Sequence, residues 1–169
     1  NAKQSYYKQC RMADFWIDVK KIPLSDVERL TRIAGISEVQ PRIQFTATVD
    51  LENAPQSING LVVSLPDQRR HILNDIVIRQ GDYFSDEMDN QVIVNEKFAR
   101  THGLYPGQTI HLLLNQRRQP LFIIGTAISS EFVYLLGPGT IMPDPEQFGA
   151  FYVKRSFAED VFSFQGAAN

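Results

Sequence analysis

Residues 39–51 read Val39-Gln40-Pro41-Arg42-Ile43-Gln44-Phe45-Thr46-Ala47-Thr48-Val49-Asp50-Leu51. Every odd position is apolar or proline, and every even position is polar. A period of two turns one face to a core and the other to water, which is the pattern of a β-strand. Thirteen residues at about 3.3 Å each would run roughly 43 Å, long for one strand. Pro41 lacks the N–H that a ladder needs, so it belongs near the start or on an edge.

The neighbouring segments build outward from this strand. Residues 13–21 alternate as well, with Ala13, Phe15, Ile17 and Val19 on one side and Asp14, Trp16, Asp18 and Lys20 on the other. They are expected to form a strand with one buried face. Trp16 sits on the polar side, where the rest of the chain or a partner would cover it. Pro23 ends that strand, and Ser25 with Glu28 reads as a capping box opening a short helix. Val27, Leu30 and Ala34 share one face of that helix, and Gly35 stops it. Asn59-Gly60 reads as a turn into a third strand over residues 61–65, closed by Pro66. Strand, helix, strand and strand make an α/β unit with one helix against a sheet.

The texture changes after Pro66. A polar stretch leads to a short strand near residues 76–78 and a turn at Gly81-Asp82. A compact run follows: strand 92–94, helix 96–102, a stop at Gly103, a turn at Pro106-Gly107 and strand 110–114. Residues 115–119 read as a five-residue connection into a strand from Leu121, giving a hairpin. Gly137-Pro138-Gly139 and Pro143-Asp144-Pro145 mark an irregular loop. Residues 150–154 read as a strand. Ser156 with Glu159 reads as a second capping box, after which the chain stops at Asn169 without a return strand. The expected class is α+β: an α/β unit with a second, β-rich subdomain over about residues 67–136.

Composition narrows the function. The chain has 169 residues, enough to bury a core without a disulfide or metal. Seventeen cations against nineteen anions give a net charge of −2, which argues against a nucleic-acid binder. No apolar run approaches the ~18 residues of a membrane span. Cys10 is the single cysteine, so neither an internal disulfide nor a zinc cluster is expected. The first ten residues lack the apolar core of a signal peptide, so the chain is either cytosolic or a piece of a longer protein.

Common catalytic motifs are missing. Ser5-Tyr6-Tyr7-Lys8 matches S-x-x-K by letters only. His71, His102 and His111 lack metal-ligand spacing and read as solvated histidines. Asp82, Asp86, Glu87 and Asp89 form an acidic patch that fails the calcium-loop pattern and reads as a solvated turn. Arg69-Arg70 and Arg117-Arg118 read as basic pairs in polar turns. Residues 132–136, Phe132-Val133-Tyr134-Leu135-Leu136, place apolar and aromatic groups beside the Gly/Pro loop. They read as a strand tail packed on the core or as a partner site; the candidate partner-binding residues are Glu131, Phe132, Tyr134, Leu135 and Leu136.

Several segments carry a family likeness in order along the chain. They are Tyr6-Tyr7, Met12-Ala13-Asp14-Phe15-Trp16, Gly35-Ile36-Ser37-Glu38-Val39 and Pro41-Arg42. The most specific run is Gln91-Val92-Ile93-Val94-Asn95-Glu96-Lys97-Phe98-Ala99, Gly103-Leu104, Pro106-Gly107-Gln108-Thr109-Ile110 and Phe122-Ile123-Ile124-Gly125-Thr126-Ala127. This ordered set resembles the extracytoplasmic domain of ABC-transporter permeases of the MacB/FtsX type. Ser130 stands where one branch of that family carries proline.

The resemblance implies a non-enzymatic domain without cofactors, on the periplasmic or extracellular side of the inner (cytoplasmic) membrane. It implies a membrane-proximal tail at residues 1–12, a discontinuous porter-like subdomain at 13–66 and 149–169, and an inserted β-rich subdomain at 67–148. Implied partners are the permease's membrane helices, a separate cytoplasmic ATPase, and an envelope protein or lipid-like substrate. The domain would relay membrane-helix motion or contact an exported substrate. One rival reading is a stand-alone cytosolic β-barrel-like module that binds a ligand or protein. Another is a carboxylate hydrolase using Asp82, Asp86 or Glu131.

Overall fold

The structure is a computed structural model that describes residues 11–51, 57–132 and 144–169. Its strands are β1 (Ile22–Pro23), β2 (Gln44–Asp50), β3 (Ile58–Leu65), β4 (Ile76–Gly81), β5 (Gln91–Asn95), β6 (Thr109–Leu114), β7 (Arg117–Ser129), β8 (Phe148–Lys154) and β9 (Ala167–Ala168). Its helices are α1 (Leu24–Leu30), α2 (Glu96–Thr101) and α3 (Arg155–Phe162). The fold is α+β, as expected.

Seven strands form one sheet in the order β4-β7-β5-β8-β3-β2-β6, and β6 also pairs with β7. That last pairing joins the two sides of the sheet, so β7, β5, β8, β3, β2 and β6 close into a six-stranded barrel with β4 appended. β7 makes this possible through its length of 13 residues. Its first half pairs antiparallel with β6, from Leu114↔Arg117 to Thr109↔Phe122. Its second half pairs parallel with β5 and antiparallel with β4. The register shifts between Val92 and Ile93 opposite β7, so Ile124 is the extra residue and the facing parity changes there.

Alternation fills the barrel. Val62, Val92, Val94, Ile110, Leu112, Leu121, Ile123, Phe151 and Val153 belong to one buried cluster. Gly60 and Gly149 leave room at the same level: a Cβ on Gly60 would lie 2.8 Å from the Phe151 ring, and one on Gly149 2.8 Å from the Phe98 ring. The helices close the two ends. Phe98 of α2 meets Phe151 edge-on at 5.3 Å, and Ala158, Phe157, Val161 and Phe162 of α3 pack on the same cluster. The residues in between on β3, β5 and β8 point outward to a second cluster of Val63, Leu65, Ile93 and Tyr152, covered by Ile72 and Phe84. β5 and β8 are therefore buried on both faces, which explains their near-continuous apolar sequences.

The expected boundaries cut across this sheet: β2, β3 and β8 fall in segments 13–66 and 149–169, β4 to β7 in segment 67–148, and all seven join one hydrogen-bonded surface. Residues 13–21 form no strand; only Ile22–Pro23 pairs, with Ala167–Ala168. Alternation makes a strand only where a neighbouring strand receives it, and residues 13–21 pair with none. β9 follows α3 but pairs only with β1, outside the seven-stranded sheet, so it does not complete a β-α-β unit with β8. The long alternating stretch supplies the shorter β2, because the ladder starts after Pro41. Asn59-Gly60 lies inside β3, with Gly60 serving close packing rather than a turn. Neither capping box forms. Ser25 lies inside α1, which starts from Pro23 and ends at Leu30, and Gly35 has φ +93 in the turn beyond. The Ser156 N–H donates to Asp67 Oδ1 at 3.1 Å, while Glu159 pairs with Arg155 at 2.9 Å. The helix cap that does form is Asn95, whose Oδ1 accepts from Lys97 and Phe98 N–H. The β6–β7 hairpin turns on two residues, Asn115 and Gln116, both at positive φ, instead of five. Primed two-residue turns suit the strand twist, so the ladder extends to the turn.

Candidate functional site

β7 ends at Ser129 and leads into Ser130, Glu131 and Phe132; Ser129 and Ser130 are buried. The Glu131 N–H donates to Ser129 Oγ at 3.2 Å, which turns the chain as it leaves the sheet. Glu131 then meets Arg42 in a bidentate pair, Nη1 to Oε2 at 2.6 Å and Nη2 to Oε1 at 2.7 Å. The two side chains are only 16% and 13% exposed. The parallel fork geometry satisfies both carboxylate oxygens and makes this the strong form of an ion pair. Burial works to lower the Arg42 pKa, but the hydrogen bond and charge of Glu131 outweigh it, so the guanidinium holds its proton more tightly than usual.

Arg42 is positioned by its backbone. Ile43 N–H donates to Ser64 Oγ at 2.8 Å, and Ser64 N–H returns a bond to Ile43 O at 2.9 Å. Asn169 N–H donates to Arg42 O at 3.0 Å, and the Asn169 side chain bridges both Gln44 backbone groups at 2.7 and 2.8 Å. Arg42 thus joins three parts of the chain: the lead-in to β2, the exit of β7 and the C-terminal segment. Sequence reasoning placed Arg42 only on the polar side of a strand. Its partner is 89 residues away, and no local pattern signals the pair.

Phe132 packs against both apolar clusters, its ring 6.3 Å from that of Tyr152. Together with Ile128, Asn95, Lys97 and Arg100 it lines an open groove of about 790 Å³ between α2 and the end of β7. Tyr134, Leu135 and Leu136 lie outside the described residues, as do Ser5 to Lys8, Cys10 and most of the Gly/Pro loop. Of the five expected partner-binding residues, the structure therefore places Glu131 on Arg42 and Phe132 against the core and the groove.

The remaining candidates are dispersed. His71 is exposed, His102 reaches the Pro145 carbonyl at 3.2 Å through Nε2, and His111 lies in β6 opposite Asp50 and Pro120. Among the described residues, no three His, Cys, Asp or Glu side chains group as metal ligands. In the acidic turn, Asp89 lies 3.8 Å from Lys154, which is 3% exposed and donates to Met88 O at 2.6 Å. This buried lysine, at the end of an apolar strand, anchors the turn to β8. Arg69 pairs with Asp75 at 2.6 Å and lies 5.1 Å over the Tyr83 ring. Burial pushes the Tyr83 hydroxyl well above its ordinary pKa, with Arg69 pulling the other way, and that hydroxyl donates to Pro66 O at 2.7 Å. Arg118 pairs with Asp50 at 2.6 Å. Neither this groove nor a second one at the β6–β7 turn joins two of Asp82, Asp86 and Glu131.

The buried pair makes a measurable prediction. Arg42→Met or Glu131→Leu alone strands a charge and should cost about 3 kcal/mol in urea unfolding. The double variant should lose less than the two single losses together. Two near-neutral, additive single effects would contradict the pairing.

No family model matches the chain, and no curated protein matches it. Solved structures do, two of them over most of the chain. One is the periplasmic region of MacB from Actinobacillus actinomycetemcomitans, 16% identical with a TM-score of 0.50 over 88% of this chain. The other is the extracellular domain of the noncanonic ABC-type transporter YknZ from Gram-positive bacteria, 14% identical with a TM-score of 0.50 over 90% of this chain. The chain spans 62% of the MacB region and 74% of the YknZ domain. In fold, this chain is similar to the extracytoplasmic domains of ABC-type transporters.

Proposed function

We propose that this chain is the extracytoplasmic domain of an ABC transporter permease, and that it acts as a passive body carrying motion or cargo contact outside the membrane. The observation that carries this reading is the likeness to two such domains along nearly the whole chain. The physical construction suits the role. A closed, filled barrel with both ends plugged has no soft seam, so a displacement imposed on it is passed on as rigid-body rotation. Residues 1–12 are the tail on the membrane side. Residues 13–66 with 149–169 are the porter-like part, and residues 67–148 are the inserted part, both woven into one barrel. ATP hydrolysis is assigned to a separate cytoplasmic ATPase, and no cofactor is assigned to this domain. The exit of β7, with Glu131, Phe132, Tyr134, Leu135 and Leu136, is the surface where an envelope protein or exported substrate would be met.

The six-stranded closure is the observation that favours the rival binding-module reading. Its interior is occupied by side chains such as Phe151 and Ile123, so a ligand of such a module would have to bind outside the barrel.

Topology decides between these readings. Tyr105 is 57% exposed, so Tyr105→Cys with Cys10→Ser in the full-length parent protein gives a single external probe within this domain. Intact cells should be labelled by a membrane-impermeant maleimide. Labelling only after lysis would place the domain in the cytoplasm and overturn the role. In the same protein, a photoreactive residue at Tyr134 should give adducts with an envelope protein or lipid. Self-adducts alone would remove that surface from the account.

A further inference from the structure

Residues 11–21 cross the surface as chain without a ladder partner. Five large apolar side chains stand in water there: Met12 (44% exposed), Phe15 (63%), Trp16 (65%), Ile17 (64%) and Val19 (38%). Phe15, Trp16 and Ile17 are consecutive and all exposed, so no face of the protein shelters this stretch. A patch of this kind is costly in water unless something covers it.

The segment is held at both ends. The Ala13 N–H donates to Asn74 Oδ1 at 2.8 Å, Asn74 N–H donates to Arg11 O at 3.0 Å, and Arg11 pairs with Glu38. At the other end, Lys21 Nζ donates to Ser163 O at 2.7 Å and lies 4.8 Å over the Phe164 ring, just before β1 pairs with β9. The apolar side chains are thus presented on an anchored arm.

Charge identifies the cover. Residues 1–21 contain Lys3, Lys8, Arg11, Lys20 and Lys21 against Asp14 and Asp18, so the arm and the tail before it are net positive. The rest of the chain holds twelve cations and seventeen anions. An aromatic stretch that holds Asp14 and Asp18 but is flanked by Lys3, Lys8, Arg11, Lys20 and Lys21, on an acidic body, matches an anionic bilayer surface: aromatic rings settle among headgroups, and the flanking cations are drawn to the negative potential. The acidic body is repelled by that same surface, which leaves the arm as the part turned to it.

We propose that residues 12–19 dock on an anionic lipid surface, with Phe15, Trp16 and Ile17 seated in the headgroup region. This rests on the extracytoplasmic reading above, but it fails separately from it. Trp16 is the single tryptophan of the chain, so its emission reports on this arm alone. Vesicles of phosphatidylglycerol and phosphatidylcholine should shift the emission of the 169-residue chain to the blue, and brominated lipid should quench it. Phosphatidylcholine alone should do neither, and high salt should reverse the shift. Phe15→Ser with Ile17→Ser keeps the reporter and should weaken partitioning at least about tenfold, from the apolar area removed. Lys20→Gln should weaken it about fivefold. Both changes lie on exposed chain, so the thermal midpoint should stay where it is. An unchanged spectrum with phosphatidylglycerol vesicles would overturn the proposal. So would a blue shift without lipid that grows with protein concentration and accompanies a doubled sedimentation mass, because the cover would then be a second copy. Either result, together with external labelling at position 105, would discard the lipid contact and leave the domain's role standing.

Discussion

The rest of the structure depends on β7 being hydrogen-bonded along both edges. Its first half is shared by β6 and its second by β5 and β4, and the register shift at Ile124 lets one strand serve these partners. Without the β6 ladder the sheet would be open, with two edges available to other chains. With it, the interior is sealed, and side-chain volume must match the space inside. The small residues Gly60 and Gly149 beside the large Phe151 and Phe98 are how the sequence meets that condition. The plugging helices follow for the same reason, since a short barrel exposes its core at both ends unless something covers them.

A second layer is built on the outside of β3, β5 and β8. Covering the outer face with Ile72, Phe84 and Phe132 encloses charged groups as well, and three of them have partners. Lys154 is held by Met88 O, Asp75 by Arg69, and Glu131 by Arg42. The last pair has the widest reach, because Arg42 is also fixed to Asn169 through the backbone. The C-terminal segment, the lead-in to β2 and the loop leaving β7 are thereby tied into one joint. The three segments are held as one body.

What the sequence disclosed was local. The run from Gln91 to Ile110 could be read because each signal is short-ranged: an apolar strand, a helix, glycines at positive φ after it, and a tight turn before the next strand. The α+β class followed from those signals, and the resemblance rested largely on them. The capping boxes misled because Ser25 and Ser156 match the pattern by letters, while the N-caps, Pro23 and Lys154, stand two residues earlier and other groups supply the bonds. Residues 13–21 misled because alternation reports what a segment would do beside a partner strand, and this segment pairs with none. Arg42 with Glu131, and β6 with β7 on the far side of the ring, are long-range pairings that no spacing encodes. Of the candidate surface, Glu131 and Phe132 were identifiable as residues of interest, but the groups that fix them were not.

The central claim is that closure by β7 makes the domain one rigid unit. Native-state hydrogen exchange on the backbone amides of β6 and the first half of β7 tests it most directly. If the barrel is closed, those amides exchange only with global unfolding, at the same free energy as the amides of β3 and β8. Faster exchange of β6 and residues 117–122 by local opening, with β3 and β8 still protected, would mean that the ring has a loose seam and would contradict the account.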